Sequence, residues 1–339
     1  MKKEKLFGKT LSELEEVSAA LGLPRFTAAQ ITDWLYKKQI GSIDEMTNLS
    51  FRSRKQLQEK FDLGLADPVR VEESKDGTKK YLYRAGMDRF VEAAYIPENK
   101  RATLCVSSQI GCKMGCLFCM TGRQGFQGQL TAGEILNQVH RLPEKERLTN
   151  IVFMGMGEPL DNPDHVLTSI EILTASWGYG WSPRRITLST IGVIPVMKRF
   201  IEQTEVHLAI SLHTPFEEER RKLIPVEKLH PLRELMKVIR SYNWYGQRRV
   251  SFEYILFRGL NDTPGHVKEL ARLLNGLKCR VNLIRFHEIP DISLKGSDDE
   301  ALHWFRDQLN QKGILATIRA SRGEDIAAAC GLLSTRENS

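Results

Sequence analysis

The chain has 339 residues, 41% hydrophobic and 27% charged, enough for one large α/β body and a small accessory unit. No apolar run approaches the ~20 residues of a membrane span, and the basic, then amphipathic start MKKEKLFGKTLSELEE lacks the apolar core of a secretory leader, so a cytoplasmic location is expected. The net charge of +7 is concentrated: residues 183–250 hold 13 Lys/Arg against 7 Glu, which reads either as a solvated face or as a surface that tracks phosphates.

In chain order, residues 1–64 predict a helical module. Thr10 and Ser12 are N-cap candidates for LSELEEVSAALG, FTAAQITDWLYKKQI follows, and a third helix begins after Ser50. Residues 65–98 switch to period two, with Asp76-Gly77 as a hairpin signal and Arg89 to Glu92 leading a further strand. From 99 to 331, strands at 103–109, 150–156, 185–190, 207–213, 250–257 and 280–286 alternate with helices near 131–141, 162–175, 193–201, 230–242 and 262–274. One more helix near 298–311 and a strand at 316–321 complete the series, and 332–339 form a tail. The expected fold is α/β: a partial (β/α)6 TIM-like barrel with an N-terminal helical accessory domain and a small β extension. In such sheets ligands gather at the C-terminal ends of the strands, where Gly157-Glu158, Ser189, Ser211, His213 and His287 fall.

The six cysteines are Cys105, Cys112, Cys116, Cys119, Cys279 and Cys330. In a reducing compartment they point to metal binding or catalysis and not to a disulfide framework. Three of them form CxxxCxxC in the run GCKMGCLFCMTG. A closed zinc site takes four protein ligands, and a [4Fe–4S] cluster takes one per iron, so three thiols leave one iron open for chemistry. The alternative is a zinc site completed by Cys105 or Cys279 in a non-catalytic RNA-binding protein. Cys279 otherwise reads as core.

CxxxCxxC after the first barrel strand, with MGMGEP closing the second, resembles the radical S-adenosylmethionine (SAM) superfamily. RATLCVSSQIGC, GMGEPLDN, RRITLSTIGV, LAISLHTP and RGEDIAAACG narrow the resemblance to the RlmN/Cfr family of adenine methyltransferases, across residues 92–331. The resemblance implies one [4Fe–4S] cluster per chain on Cys112, Cys116 and Cys119. It implies SAM contacts at Gly157, Glu158, Ser189, Ser211, Leu212, His213 and His287, and two SAM consumed per turnover. The implied reaction is methylation at carbon 2 of adenine 2503 in 23S rRNA and of adenine 37 in tRNA; the alternative within the family is carbon 8 of the same ribosomal adenine. An electron donor such as flavodoxin or ferredoxin is implied, no membrane is involved, and a monomer is expected.

Carbon 2 of adenine is electron-poor and a weak nucleophile, so direct displacement on SAM fails and one-electron chemistry is needed. In the family scheme one SAM methylates Cys330 by displacement. A second is cleaved to a 5′-deoxyadenosyl radical, which takes hydrogen from the S-methyl group; the carbon then adds to adenine and joins Cys330 to RNA as a thioether. Cys105 attacks the Cys330 sulfur, releasing product and leaving a disulfide that a reductant must reopen. Glu92 matches the family's proton acceptor. His287 stands where the family usually carries Asn, and Ala327 where Asp is common. Phosphate contacts are expected from Arg184-Arg185, Arg220-Arg221-Lys222 and Arg248-Arg249, with the target adenine out of its stack.

Overall fold

The computed structural model describes residues 3–86, 88–246 and 248–335; the last four residues of the expected tail, 336–339, lie outside them. Helix α1 (Leu11–Ala20) starts at a capping box between Thr10 and Glu13, which supplies acceptors to N–H groups that have no partner within the helix. Helix α2 (Thr27–Thr32) continues into a π turn at Asp33–Lys37, and α3 (Phe51–Lys60) begins under a cap from Ser50 to the Ser53 N–H. Strands β1 (Glu4–Lys5) and β2 (Phe61–Asp62) pair in parallel and tie the two ends of this segment together. Leu14, Ile31, Leu35, Tyr36 and Leu57 are fully buried between the helices.

Strands β3 (Arg70–Glu73) and β4 (Lys79–Arg84) form the hairpin that Asp76-Gly77 announces, with Gly77 at φ +82°. Strand β5 (Phe90–Pro97) runs antiparallel to β4 and to β6 (Ala102–Cys105), with Ala94 opposite Cys105. A two-stranded ribbon, β7 (Gln109–Ile110) with β8 (Gly128–Gln129), then brackets the cysteine run and its short helix α4 (Met120–Gln124). Next come β9 (Asn150–Phe153), β10 (Ile186–Thr190), β11 (His207–Ser211), β12 (Val250–Leu256), β13 (Cys279–Arg285) and β14 (Ala316–Ile318). They extend β6 in unbroken parallel order, giving a ten-stranded sheet with β14 and β3 at its edges. The crossovers carry α5 (Ala132–His140), α6 (Pro163–Thr174), α7 (Ile194–Gln203), α8 (Glu217–Leu223), α9 (Leu232–Arg240), α10 (Pro264–Leu274) and α11 (Asp299–Gln311). Both faces of the parallel strands are covered, so β11 buries three consecutive residues, Leu208, Ala209 and Ile210. Cys279 opens β13 half-buried against the main core.

The α/β architecture agrees with the expectation, but several strands stop early: 103–109 ends at Cys105, 150–156 at Phe153, 207–213 at Ser211 and 316–321 at Ile318. Beyond those points backbone groups leave the ladder for side chains. The Ser107 N–H donates to Gln138 (2.8 Å) and the Met156 N–H to the Ser107 hydroxyl (2.8 Å). Helix α8 was not expected, because EEERRKL shows no apolar stripe; its acidic first turn and basic last turn complement the helix dipole instead.

The N-terminal helices dock on α5. Phe7 packs tilted against the ring of Tyr36 (5.6 Å) and edge-on to that of His140 (4.7 Å), and His140 Nδ1 lies 2.9 Å from the Tyr179 hydroxyl. The backbones come so close that a Cβ on Gly8, which has φ +92°, would sit 2.3 Å from the Gly133 nitrogen. Among the described residues no helix is long and apolar enough to cross a membrane.

Candidate active site

Two adjoining cavities open at the C-terminal ends of the parallel strands. The inner one is lined by Cys112, Cys116, Cys119, Gly157, Glu158, Ser189, Ser211 and His213. The outer one is lined by Cys105 and His287 with four arginines, Arg101, Arg285, Arg319 and Arg322. Cys119, Arg319 and Cys330 face both. Cys330 therefore stands in the doorway.

Burial raises the Cys112 thiol to about 12 and pushes Cys116 and Cys119 up as well; each of the three is also raised by a neighbouring thiol. Thiols in this setting gain most from a cationic centre, which binds them as thiolates. Among the described residues no three His, Cys, Asp or Glu converge at single-ion spacing. Three thiols suit a multi-iron cluster, where each sulfur takes its own iron and one iron stays open, better than a closed tetrahedral Zn2+ site with its four protein ligands.

Gly157 has φ +99°, and a Cβ there would meet Gln109 Cβ at 2.5 Å, so only glycine lets the chain pass. Glu158 is buried and its carboxylate accepts from the Thr190 hydroxyl (2.6 Å) and the N–H groups of Ile191 and Leu160 (3.0 Å each). Burial outweighs those bonds and raises it to about 7. His213, at φ +59°, accepts the Ile255 N–H on Nδ1 (3.0 Å), which leaves the proton on Nε2. Burial lowers it to about 3, so the ring is neutral, edge-on to Phe118. Leu212 next to it is a core side chain and lines neither cavity.

Arg220 corrects an expectation. It is fully buried, paired with Glu227, and donates to the carbonyls of Ile191 (2.7 Å) and Ser211 (3.0 Å), so it ties the ends of β10 and β11 together and has no access to phosphate. Arg248 is buried too: it caps α7 through the carbonyls of Ile201 and Thr204, between the rings of Phe200 and Trp244. Arg184, Arg185, Arg221, Lys222 and Arg249 are exposed as expected.

Cys105, at the end of β6, packs among Ala94, Val152 and Ala328. Burial first, then the Cys330 sulfur, raise it to about 12, against a pull from Arg319. Arg319 Nη1 lies 3.8 Å from Cys330 Sγ, 3.2 Å from Met154 Sδ and 3.9 Å from Glu253 Oε2. Glu253, buried in β12, is held by Asn282 (2.7 Å) and Ser251 (3.2 Å) on its other oxygen. Neither Arg319 nor Glu253 was singled out from the sequence. A lone glutamate inside the apolar strand VSFEYIL was the available signal.

His287 lies in the outer cavity, not the inner one, with Nε2 beside the Ser321 hydroxyl and Nδ1 3.1 Å from a carboxylate oxygen of Glu324. Glu92 lines neither cavity. It is buried on the face of β5 that carries Ala94, with Lys80 (3.3 Å) and the Ser334 N–H (2.9 Å) on its carboxylate, and burial raises its pKa.

The segment bearing Cys330 is strapped at both ends. Upstream, Asp325 accepts from the Ser74 hydroxyl (2.5 Å) and the Lys75 N–H (3.2 Å), and Asp76 accepts the Gly323 N–H (3.0 Å). Downstream, the Met120 N–H donates to the Gly331 carbonyl (2.8 Å), the Thr121 hydroxyl to the Leu333 carbonyl (2.6 Å) and Gln124 to Thr335 (2.6 Å).

Comparison with known proteins agrees with this geometry. Residues 106–274 match the family model of the radical SAM superfamily, and residues 4–63 match that of the ribosomal RNA large subunit methyltransferase N-terminal domain. A probable dual-specificity RNA methyltransferase RlmN of Parabacteroides distasonis is 58% identical over 336 residues, covering 99% of this chain and 98% of the relative. The dual-specificity RNA methyltransferase RlmN of Syntrophus aciditrophicus is 44% identical over 329 residues, covering 96% and 94%. The crystal structure of a radical SAM methyltransferase from Sphaerobacter thermophilus superposes with a TM-score of 0.90 at 41% identity, covering 97% of this chain and 99% of that one. The three-thiol cavity, the doorway cysteine and this full-length likeness agree: the chain belongs to the RlmN family of the radical SAM superfamily.

Proposed function

We propose that the chain methylates carbon 2 of adenine in 23S rRNA and tRNA by way of S-methylated Cys330. One observation carries this: Cys330 lines both the three-thiol cavity and the cavity that holds Cys105. A sulfur so placed can collect a methyl group on one side and deliver it on the other.

Superfamily membership brings a [4Fe–4S] cluster and SAM. Cys112, Cys116 and Cys119 would hold one cluster per chain, and the cluster and SAM supply the electron and the hydrogen-abstracting radical. Gly157, Glu158, Ser189, Ser211 and His213 line the SAM side; neutral His213 offers its Nε2–H as a donor, and the carboxylate of Glu158 takes the ammonium charge. Arg319 stabilises negative charge on the Cys330 sulfur while that sulfur attacks the SAM methyl group; a C–S bond forms at Cys330 as the methyl–sulfonium bond breaks. The turnover consumes two SAM. Cys105 then attacks the Cys330 sulfur: an S–S bond forms as the carbon–sulfur bond to the methylated adenine breaks, and a reductant reopens the disulfide for the next turnover. Glu92, whose raised pKa suits a base, accepts the proton. The module of residues 1–64 grips RNA beside the extension 65–98 and the core 99–331. The enzyme works as a cytoplasmic monomer fed by flavodoxin or ferredoxin.

The test is anaerobic reconstitution, incubation with 23S rRNA and tRNA, and nucleoside analysis by mass. 2-Methyladenosine is the expected product. 8-Methyladenosine alone would move the reaction to carbon 8, and a protein carrying zinc and no iron would end the catalytic reading.

A further inference from the structure

Most of the charge that lines the outer cavity is not used by the chemistry at sulfur. Its lining carries four arginines against a single glutamate, Glu98. Arg319 faces inward and is occupied by Glu253, Met154 and Cys330. The other three come from separate segments: Arg101 from the turn before β6, Arg285 from the end of β13 and Arg322 from the strap beyond β14. Arg101 is held through Nε by Thr103 (3.1 Å), and Arg285 by Asp299, so each has guanidinium nitrogens left over. Arg322 Nε is shut off from solvent without a hydrogen-bond partner. Its chain neighbours are both held, Ser321 by its hydroxyl on His287 and Gly323 by its N–H on Asp76.

We propose that Arg101, Arg285 and Arg322 form a phosphodiester grip, which holds the RNA backbone on either side of the target adenine at the mouth of the outer cavity. The proposal rests on the RNA reading above. A base that reaches Cys105 and Cys330 must trail its sugar and two phosphates behind it, and the mouth is where they pass. Guanidinium forks match phosphate oxygens in pairs, whereas a general basic field would be served equally by lysine. The runs at 184–185, 221–222 and 249 line neither cavity and can act only on more distant stretches of the RNA.

Fluorescence anisotropy with an end-labelled synthetic RNA hairpin bearing a loop adenine, titrated with holoenzyme at several salt concentrations, tests this. Arg322→Gln weakens binding about tenfold and lowers the slope of log affinity against log salt by about one. Arg101→Gln does the same from the opposite rim and decides the matter if Arg322→Gln fails to fold. Arg306→Gln, which removes an equal charge from the exposed Asp307 pair on α11, stays within about twofold of wild type. Rim variants that behave like Arg306→Gln overturn the grip while leaving the RNA reading intact. Wild-type enzyme without affinity for the hairpin overturns both.

Discussion

Arg319 and Glu253 share one task from opposite strands. Glu253, buried in β12, cannot stay charged cheaply without a partner, and Arg319 supplies it while also reaching the Cys330 sulfur. Arg319→Gln should slow S-methylation of Cys330 by about tenfold or more, read by mass of the intact protein, and Arg319→Lys should recover part of the rate. Equal methylation rates in wild type and Arg319→Gln would remove the arginine from the chemistry. Cys105→Ala should accumulate a covalent protein–RNA species on denaturing gels, with free product near background; normal product release would reassign Cys105. The cysteines were legible in the sequence because CxxxCxxC, TLCVSS and AAACG are linear runs. The Arg319–Glu253 pair was not, since it arises only when β12 and β14 flank β13 in the sheet. Arg220 and Arg248 were misread because a run of charges says nothing about depth.

Among elements, the strap that carries Cys330 is held by few but specific bonds. Desolvation is the largest single influence on Asp76 and raises it, but the hydrogen bonds from Thr78, Gly323 and Ser74 together prevail and lower its carboxyl to about 2. Asp76→Ala removes the Gly323 and Thr78 acceptor together and should cost roughly 1–2 kcal/mol. Hydrogen exchange should rise over residues 323–330 and stay unchanged in α5; a uniform rise would mean that the hairpin does not anchor the strap. Ala327 sits in this strap at φ +51°, a left-handed conformation that Asp tolerates better than Ala, which gives the family's usual residue there a physical meaning. Element order and caps were readable from period and N-cap residues. The ends of the strands were not, because the polar residues that build the site also draw the backbone off the ladder.

For the molecule as a whole, the seam between the N-terminal helices and the barrel contains a titratable group. Burial lowers His140 from 6.5 to about 4. Above pH 6.5 the folded and unfolded states are both neutral at this site. As pH falls toward 4 only the unfolded state takes up the proton, so stability is lost by up to about 1.4 kcal/mol per pH unit across that window. His213, lowered to about 3, adds to the same acid limb. His140→Phe keeps a ring against Phe7 and should flatten part of the fall in melting temperature between pH 7 and 4. It should also lower stability at neutral pH by roughly 1 kcal/mol through the lost Tyr179 bond. Parallel losses in both proteins would show that the seam does not titrate.

The strap also has a place in the order of folding. Until residues 319–335 dock, the loop that carries Cys112, Cys116 and Cys119 leaves Met120, Thr121 and Gln124 without their partners Gly331, Leu333 and Thr335. During that interval the three-thiol cavity is open on the side the strap will cover. A metal centre on those thiols thus has an entry route before the strap docks, and the mature fold closes it with the same few residues that bring Cys330 into position.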